Sequence, residues 1–307
     1  MVQAKRSPKK DPSYRKLKAD YYPVQRQVQL ATASGTTRGV VDVGKILSQV
    51  NHRLYRQGKT YKVKIDLDNR PDATVGPAQY EVYALSDTWY VQKAWQLARA
   101  TYLKATADER EVMSSQQIAR WEDFRVLSGV TGETTVQPYR YGNASLVGAI
   151  VTDGEHDASR ITRDDGTQYT FGWSPGASTY DMLAQFSKTG DTDLAPSTVD
   201  ADKAYDGVDS NVKESQMDDM ADRGNSPPYS ATGFGTSPWV KIATLDNSAG
   251  VNPGASAGHS RMSTGFFHAP CGLVVIVPSI SHTLAGELSM TVQAGDYKGT
   301  AAMNMGV

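Results

Sequence analysis

Five histidines, one cysteine and two clusters of carboxylates are the residues of this chain whose types could do chemistry. Their spacing argues against most of it. His52, His156, His259, His268 and His282 include no pair at the helix-face interval of a zinc protease, and none stands beside a cysteine. Cys271 is the only cysteine, which excludes an intrachain disulfide and a cysteine-based zinc site. Its neighbours in "CGLVVIVP" are apolar, so it reads as a small buried hydrophobe. "DGEHD" at 153–157 gathers two Asp, a Glu and a His, a composition that a polar turn explains equally well. Residues 189–224 hold ten acidic residues against Lys203, Lys213 and Arg223. Oxygen-rich runs of that kind suit calcium, but the spacing of a recognised calcium loop is missing. "TGFGTSP" has glycines without a following helix to receive an anion, and there is no nucleophile elbow. Neither enzymatic activity nor a cofactor is expected.

Positive charge is the stronger signal. Residues 1–20 carry Lys5, Arg6, Lys9, Lys10, Arg15, Lys16 and Lys18 against Asp11 and Asp20, and Arg26 follows. Pro8 and Pro12 interrupt the run, and Leu17 is almost its only sizeable aliphatic. Such a segment cannot bury enough apolar surface to offset the entropy of ordering, so residues 1–22 read as an arm. The polarity extends further. Residues 1–70 contain 16 Lys/Arg and 5 Asp/Glu, and residues 71–307 contain 16 Lys/Arg and 28 Asp/Glu, within a formal net charge of −1. A basic segment on an acidic body suits a polyanion better than it suits solubility. Lys and Arg neutralise phosphates and release condensed counterions, which gives affinity without sequence choice. Tyr14, Tyr21 and Tyr22 are placed to stack on unpaired bases or to anchor the arm. No groove-reading motif accompanies them. "KRSPKK" also matches a nuclear-import signal, a short pattern with many false positives.

The elements that must carry this arm are strands. "YYPVQRQVQLAT" alternates through Val24, Arg26, Val28 and Leu30. "TYKVKIDLD" puts Tyr61, Val63, Ile65 and Leu67 on one face and Lys62, Lys64 and Asp66 on the other. "YEVYALS" repeats the device with Tyr80, Val82 and Ala84. These are half-buried antiparallel strands. "TRGVVDVGKILSQVNHRL" fits a strand or a short helix. Between 88 and 127 the period becomes helical, with Trp95, Ala98, Tyr102 and Ala105 in one stripe and Asp87 or Asp108 available as caps. One long helix or two consecutive ones are expected there. Further strands are expected in "SLVGAIVTD", "WVKIATL", "GFFHAPCGLVVIVP" and "GELSMTVQA", and a hairpin at Asp165-Gly166 in "ITRDDGTQYTFGW". Residues 189–224 read as a long exposed loop. Eight to ten short strands with one helical insertion predict an all-β fold. The natural closure is a single jelly-roll antiparallel sandwich over residues 23–307.

A basic arm (1–22), a helical insertion at about 88–127 and the run "FFHAPCGLVVIVP…GELSMTVQAGDYKGTAAMNMGV" together resemble the capsid proteins of small circular single-stranded DNA viruses that encode a replication initiator. The likeness is to the bacilladnaviruses and certain shrimp-associated viruses, with nodavirus-like jelly rolls. It covers most of the chain in architecture and is specific only at those segments. The arm is shorter than in many relatives, and no projecting domain follows the jelly roll. The resemblance implies a self-assembling icosahedral shell with single-stranded nucleic acid inside, DNA favoured over RNA. Arg26, Arg38, Lys45, Arg53, Arg56, Lys59, Lys62 and Lys64 would line its inner surface, and the 189–224 loop would face outward or lie at a symmetry contact. It places the protein in the virion, and in host nucleus or cytoplasm during assembly, with no membrane partner.

Two other classes compete. A non-viral β-sandwich module could use the arm to hold nucleic acid as a monomer or small oligomer. A jelly-roll carbohydrate-active enzyme could use carboxylates from 153–157 or 191–222.

Overall fold

Alternation of apolar and polar side chains produces the expected strands. The computed structural model describes residues 23–31, 38–67, 79–112, 121–130, 132–141, 148–151, 156–162, 166–174, 178–187, 237–246, 262–278 and 288–306. The arm, the 189–224 loop, His259 and His282 lie outside them. In chain order the elements are β1 (Gln27–Ala31), β2 (Arg38–Asp42), α1 (Val43–Asn51), β3 (Lys59–Leu67), β4 (Gln79–Leu85), α2 (Trp89–Ala105) and α3 (Ala107–Val112). Then come β5 (Glu133–Thr135), β6 (Gln137–Tyr141), β7 (Gly148–Ile150), β8 (Arg160–Thr162), β9 (Gln168–Gly172), β10 (Thr179–Asp181) and α4 (Met182–Ser187). The last are β11 (Trp239–Asp246), β12 (Phe267–Ala269), β13 (Leu273–Pro278), β14 (Leu288–Val292) and β15 (Ala302–Asn304).

Two curled sheets dominate. The first has the order β12-β3-β14-β1-β6-β7, with β15 also paired to β3, and the second β11-β4-β13-β2-β5. Among the described strands only β2–β5 and, in a small third sheet, β9–β10 pair in parallel. The long-range pairs are nested. β1 meets β14 through Val28↔Met290, β2 meets β13 through Val41↔Val274, β3 meets β12 through Val63↔Phe267, and β4 meets β11 through Tyr80↔Leu245. The protein is therefore an all-β sandwich with helices added.

Between the two sheets Val28, Leu30, Val63, Ile65, Leu67 and Met290 from one side interlock with Val41, Tyr80, Val82, Leu245, Val274 and Ile276 from the other. The second sheet is also covered on its outer face. There Val40, Leu85, Leu273 and Val275 meet Val91, Trp95 and Ala98 of α2, Phe171 and Trp173, and Met182, Leu183 and Phe186 of α4. This double burial explains why β2 and β13 are apolar on both faces although their ladder is antiparallel. The crossing from β12 to β13 is a tight turn at Pro270–Gly272, with positive φ at Cys271 and Gly272. A Cβ on Gly272 would stand 2.9 Å from the Tyr61 ring, so the turn needs glycine for space as well as for conformation. Cys271 is fully buried, as its apolar neighbours predict, and burial raises its thiol well above the usual range.

Within residues 88–127 the described helices are two consecutive ones, α2 and α3, one of the two alternatives expected, and residues 122–126 are not helical. Long-range partners claim the backbone groups a helix would use there. Gln57 Oε1 accepts from Val126 N at 2.6 Å, Ser159 N donates to Arg125 O at 2.8 Å, and Leu127 N donates to Phe171 O at 2.8 Å. Of the predicted stripe, Trp95 and Ala98 are buried, Tyr102 is half-buried and Ala105 is exposed. Neither proposed aspartate caps a helix start. Thr88 is the N-cap of α2, Asp87 accepts from Gln92 in the first turn, and Asp108 lies within α3. The ambiguous segment 37–54 contains both alternatives, β2 and then α1, whose N-terminus Asp42 caps through Lys45 N at 2.9 Å.

Candidate nucleic-acid interface

The described chain starts at Pro23, and Gln25 and Arg26 tie that start to the sandwich. Gln25 N donates to Asn51 Oδ1 at 2.8 Å, Asn51 Nδ2 returns a bond to Gln25 O at 3.1 Å, and Arg26 Nη1 reaches Gly299 O at 3.4 Å. The end of α1 and a turn near the C-terminus thus hold the root of the arm. That turn is a two-residue hairpin connection. Tyr297 and Thr300 exchange backbone bonds at 3.0 and 2.9 Å, and Lys298 and Gly299 both have positive φ, the primed geometry that suits right-twisted strands.

Cations gather around this root. Lys59 Nζ lies over the Tyr297 ring, 4.2 Å from its centroid, and Lys298 Nζ lies 5.5 Å from the same centroid and 5.8 Å from that of Tyr55. Burial lowers the Lys59 ammonium pKa first, and Arg56 and Lys298 lower it further. Lys298 is lowered by burial, then by Arg56 and Arg53, with Asp123 opposing. Tyr55 is raised by burial while Arg53 and Arg26 pull it down. These mutual influences mark one patch of Arg26, Arg53, Arg56, Lys59 and Lys298 set among tyrosines. Interleaved cations and aromatic rings suit an unpaired nucleic-acid strand.

The sequence-predicted cations divide. Arg26, Arg53, Arg56 and Lys59 are brought together. Lys62 and Lys64 lie on the outer face of β3, where Lys64 pairs with Asp66 at 2.6 Å. Arg38 opens β2 beside Gly129 and Trp239, and Lys45 is half-buried on α1, so neither belongs to the patch. Lys5, Arg6, Lys9, Lys10, Arg15, Lys16 and Lys18 lie outside the described residues. Sequence reasoning missed Lys298 and Tyr297. The Lys-Gly pair of "YKGT" between polar strand ends was the available hairpin signal.

Beneath the patch runs a buried polar network. Arg125 pairs with Asp42, and Arg125 Nη1 lies 4.0 Å from Asp123. Gln57 binds Asp42 and Val126 O through Nε2, both at 3.2 Å, and its backbone N donates to Asp123 Oδ2 at 2.8 Å. This network fixes the loop that carries Arg56 and Lys59 to the extended segment behind it. Burial raises the Asp123 carboxyl above its ordinary value, against the Gln57 N–H bond and the charges of Arg125 and Arg56. A raised acid costs stability in its charged form. The cost is full above the folded pKa and vanishes below the unfolded one. Asp123→Asn should therefore melt above wild type at pH 7.5, with the gap closing on acidification through the carboxylate range. A thermal melt series from pH 8 to pH 4 checks this.

The other chemistry-bearing residues remain scattered. His268 Nδ1 meets Asp87 Oδ2 at 3.0 Å on the surface, and His52 ends α1 with positive φ. His156 and Asp157 edge a shallow cleft with Asp123 and Arg160. Among the described residues no group of three or more His, Cys, Asp or Glu could hold a metal, and no helix is long and apolar enough to cross a membrane. Comparison with known proteins finds no matching family model, curated relative or solved structure.

Proposed function

We propose that this chain is the coat protein of a small icosahedral virus, whose copies close into a shell and package a single-stranded genome through the basic arm and the patch at its root. The observation that carries the reading is the strand order. β1, β2, β3, β4, β11, β12, β13 and β14 pair first with last and inward. They separate into β12-β3-β14-β1 and β11-β4-β13-β2. This order supports reading the sandwich as a jelly roll, an architecture that viral shells share with lectins and cupins. Fold alone does not choose among these. The arm favours the shell, because Lys5 to Lys18 supply seven cations per copy at a root already rich in positive charge. A closed shell uses on the order of sixty copies related by point-group symmetry, which multiplies that charge on one surface. DNA is favoured over RNA by the resemblance alone, since phosphate contacts are blind to the sugar. Assembly in host nucleus or cytoplasm and residence in the virion follow from the same reading.

Negative-stain electron microscopy of the purified chain, with its absorbance ratio at 260 and 280 nm, tests the proposal. Uniform closed particles with excess absorbance at 260 nm support it, and DNase or RNase digestion of the opened particles identifies the genome type. A discrete monomer or dimer in assembly-permissive salt overturns it in favour of a nucleic-acid-binding module.

A further inference from the structure

Beside the arm root lies a cleft of about 740 Å³, between α2, the Arg56–Lys59 loop and the stretch from Tyr297 to Gly306. Its volume falls in the range of small-ligand sites. Arg56, Lys59, Arg99, Arg110 and Lys298 line it against Glu122 and Asp123. Arg110 is taken by Glu122, and Asp123 is shared with Arg125. The ammonium groups of Lys59 and Lys298 are met by neutral acceptors, Asn304 Oδ1 and Leu54 O. Each lies over the Tyr297 ring, and the basicity of each is lowered by burial and then by Arg56. Two ammonium groups over one ring, partly desolvated and without a salt bridge among the described residues, are relieved by an anion bound beside that ring. Trp95 walls the cleft, and its ring packs directly on Gly58, where a Cβ would stand 2.5 Å from it.

We propose that this cleft is a phosphate subsite on the folded body, in which Lys59, Lys298 and Arg56 grip one phosphodiester of the packaged strand beside the Tyr297 ring. The proposal rests on the nucleic-acid reading above. It adds to the arm's diffuse attraction one fixed point where every copy holds the strand in the same place. Lysine serves here as a point charge, with no need of a bidentate fork. Free phosphate shares the chemistry, and the experiment separates the two sources.

The test uses the full-length chain and a fluorescein-labelled dT12 oligonucleotide, with anisotropy read from 50 to 300 mM NaCl. Each phosphate contact on a single strand contributes about 0.7 to the slope of log affinity against log salt. Lys59→Gln/Lys298→Gln should therefore flatten the slope by about 0.7, the share of the one phosphate they hold, while Lys59→Arg/Lys298→Arg keeps it, which separates charge from misfolding. A 5-iododeoxyuridine oligonucleotide should cross-link to the peptide containing Tyr297. An unchanged slope in the Gln pair, alongside a flattened slope when the arm lysines and arginines are changed to Gln, overturns the subsite and leaves the capsid reading standing. Absence of oligonucleotide binding by the wild type at every salt concentration overturns both. Stabilisation of the wild type by millimolar inorganic phosphate, absent in the Gln pair and with the oligonucleotide slope unchanged, makes the cleft a free-phosphate site and overturns the strand assignment.

Discussion

Shells assembled from a chain with Lys5, Arg6, Lys9, Lys10, Arg15, Lys16 and Lys18 all changed to Gln are expected to be nearly empty. Seven single-strand phosphate contacts give a salt slope of about −5, so under the proposed function the arm should dominate the dependence of packaging on ionic strength. The variant should keep the wild-type melting temperature of the sandwich, because the core between the sheets draws its side chains from residue 28 onward. Its particles should show the 260/280 nm ratio of protein alone. Particles that package as the wild type does would remove the arm from the mechanism and leave the folded patch to carry the strand.

The second large effect is one of stability. Arg125→Met leaves the Asp42 and Asp123 carboxylates buried without their cation, in a site where the Arg125 and Asp42 side chains are 8% and 9% exposed. Breaking a buried pair from one side costs about 3–5 kcal/mol, which lowers Tm by the order of 10 °C in a chain of this size. Asp42→Asn/Arg125→Met removes both charges and keeps an oxygen to cap α1, so it should recover much of the loss. The double-mutant cycle, read by denaturant melts, measures the coupling. A double variant whose loss is the sum of the two single losses would mean that the network contributes nothing beyond its separate parts. Because Gln57 connects this network to the Arg56–Lys59 loop, Arg125→Met should also weaken oligonucleotide binding although it removes no charge from the cleft lining.

Local pattern fixed several features without help from the fold. The alternation of "TYKVKIDLD" and "YEVYALS" predicts the buried faces of β3 and β4, because in a strand neighbouring side chains must take opposite sides. The charge of the first twenty residues and their lack of apolar surface are equally matters of composition. The helical period of Trp95 and Ala98 locates α2 and its buried face. Where the helical block stops is beyond propensity, because Gln57, Ser159 and Phe171 take over the backbone groups from Arg125 to Leu127.

Contacts between residues distant in sequence were decided only by the tertiary structure. No local rule places Lys298 beside Lys59. They meet because β15 pairs with the start of β3, Asn304 opposite Lys59, and because the Tyr297–Thr300 turn folds back over that edge. Arg26 joins them because β1 lies beside β14, from which the same turn descends. The sequence by itself determined that a cation-rich stretch of twenty residues precedes an alternating β framework. Sheet order and register, set by the burial of both faces of the second sheet, decided which cations form a site. A cation's neighbours depend on which strands pair, and that is settled by the packing of the whole core.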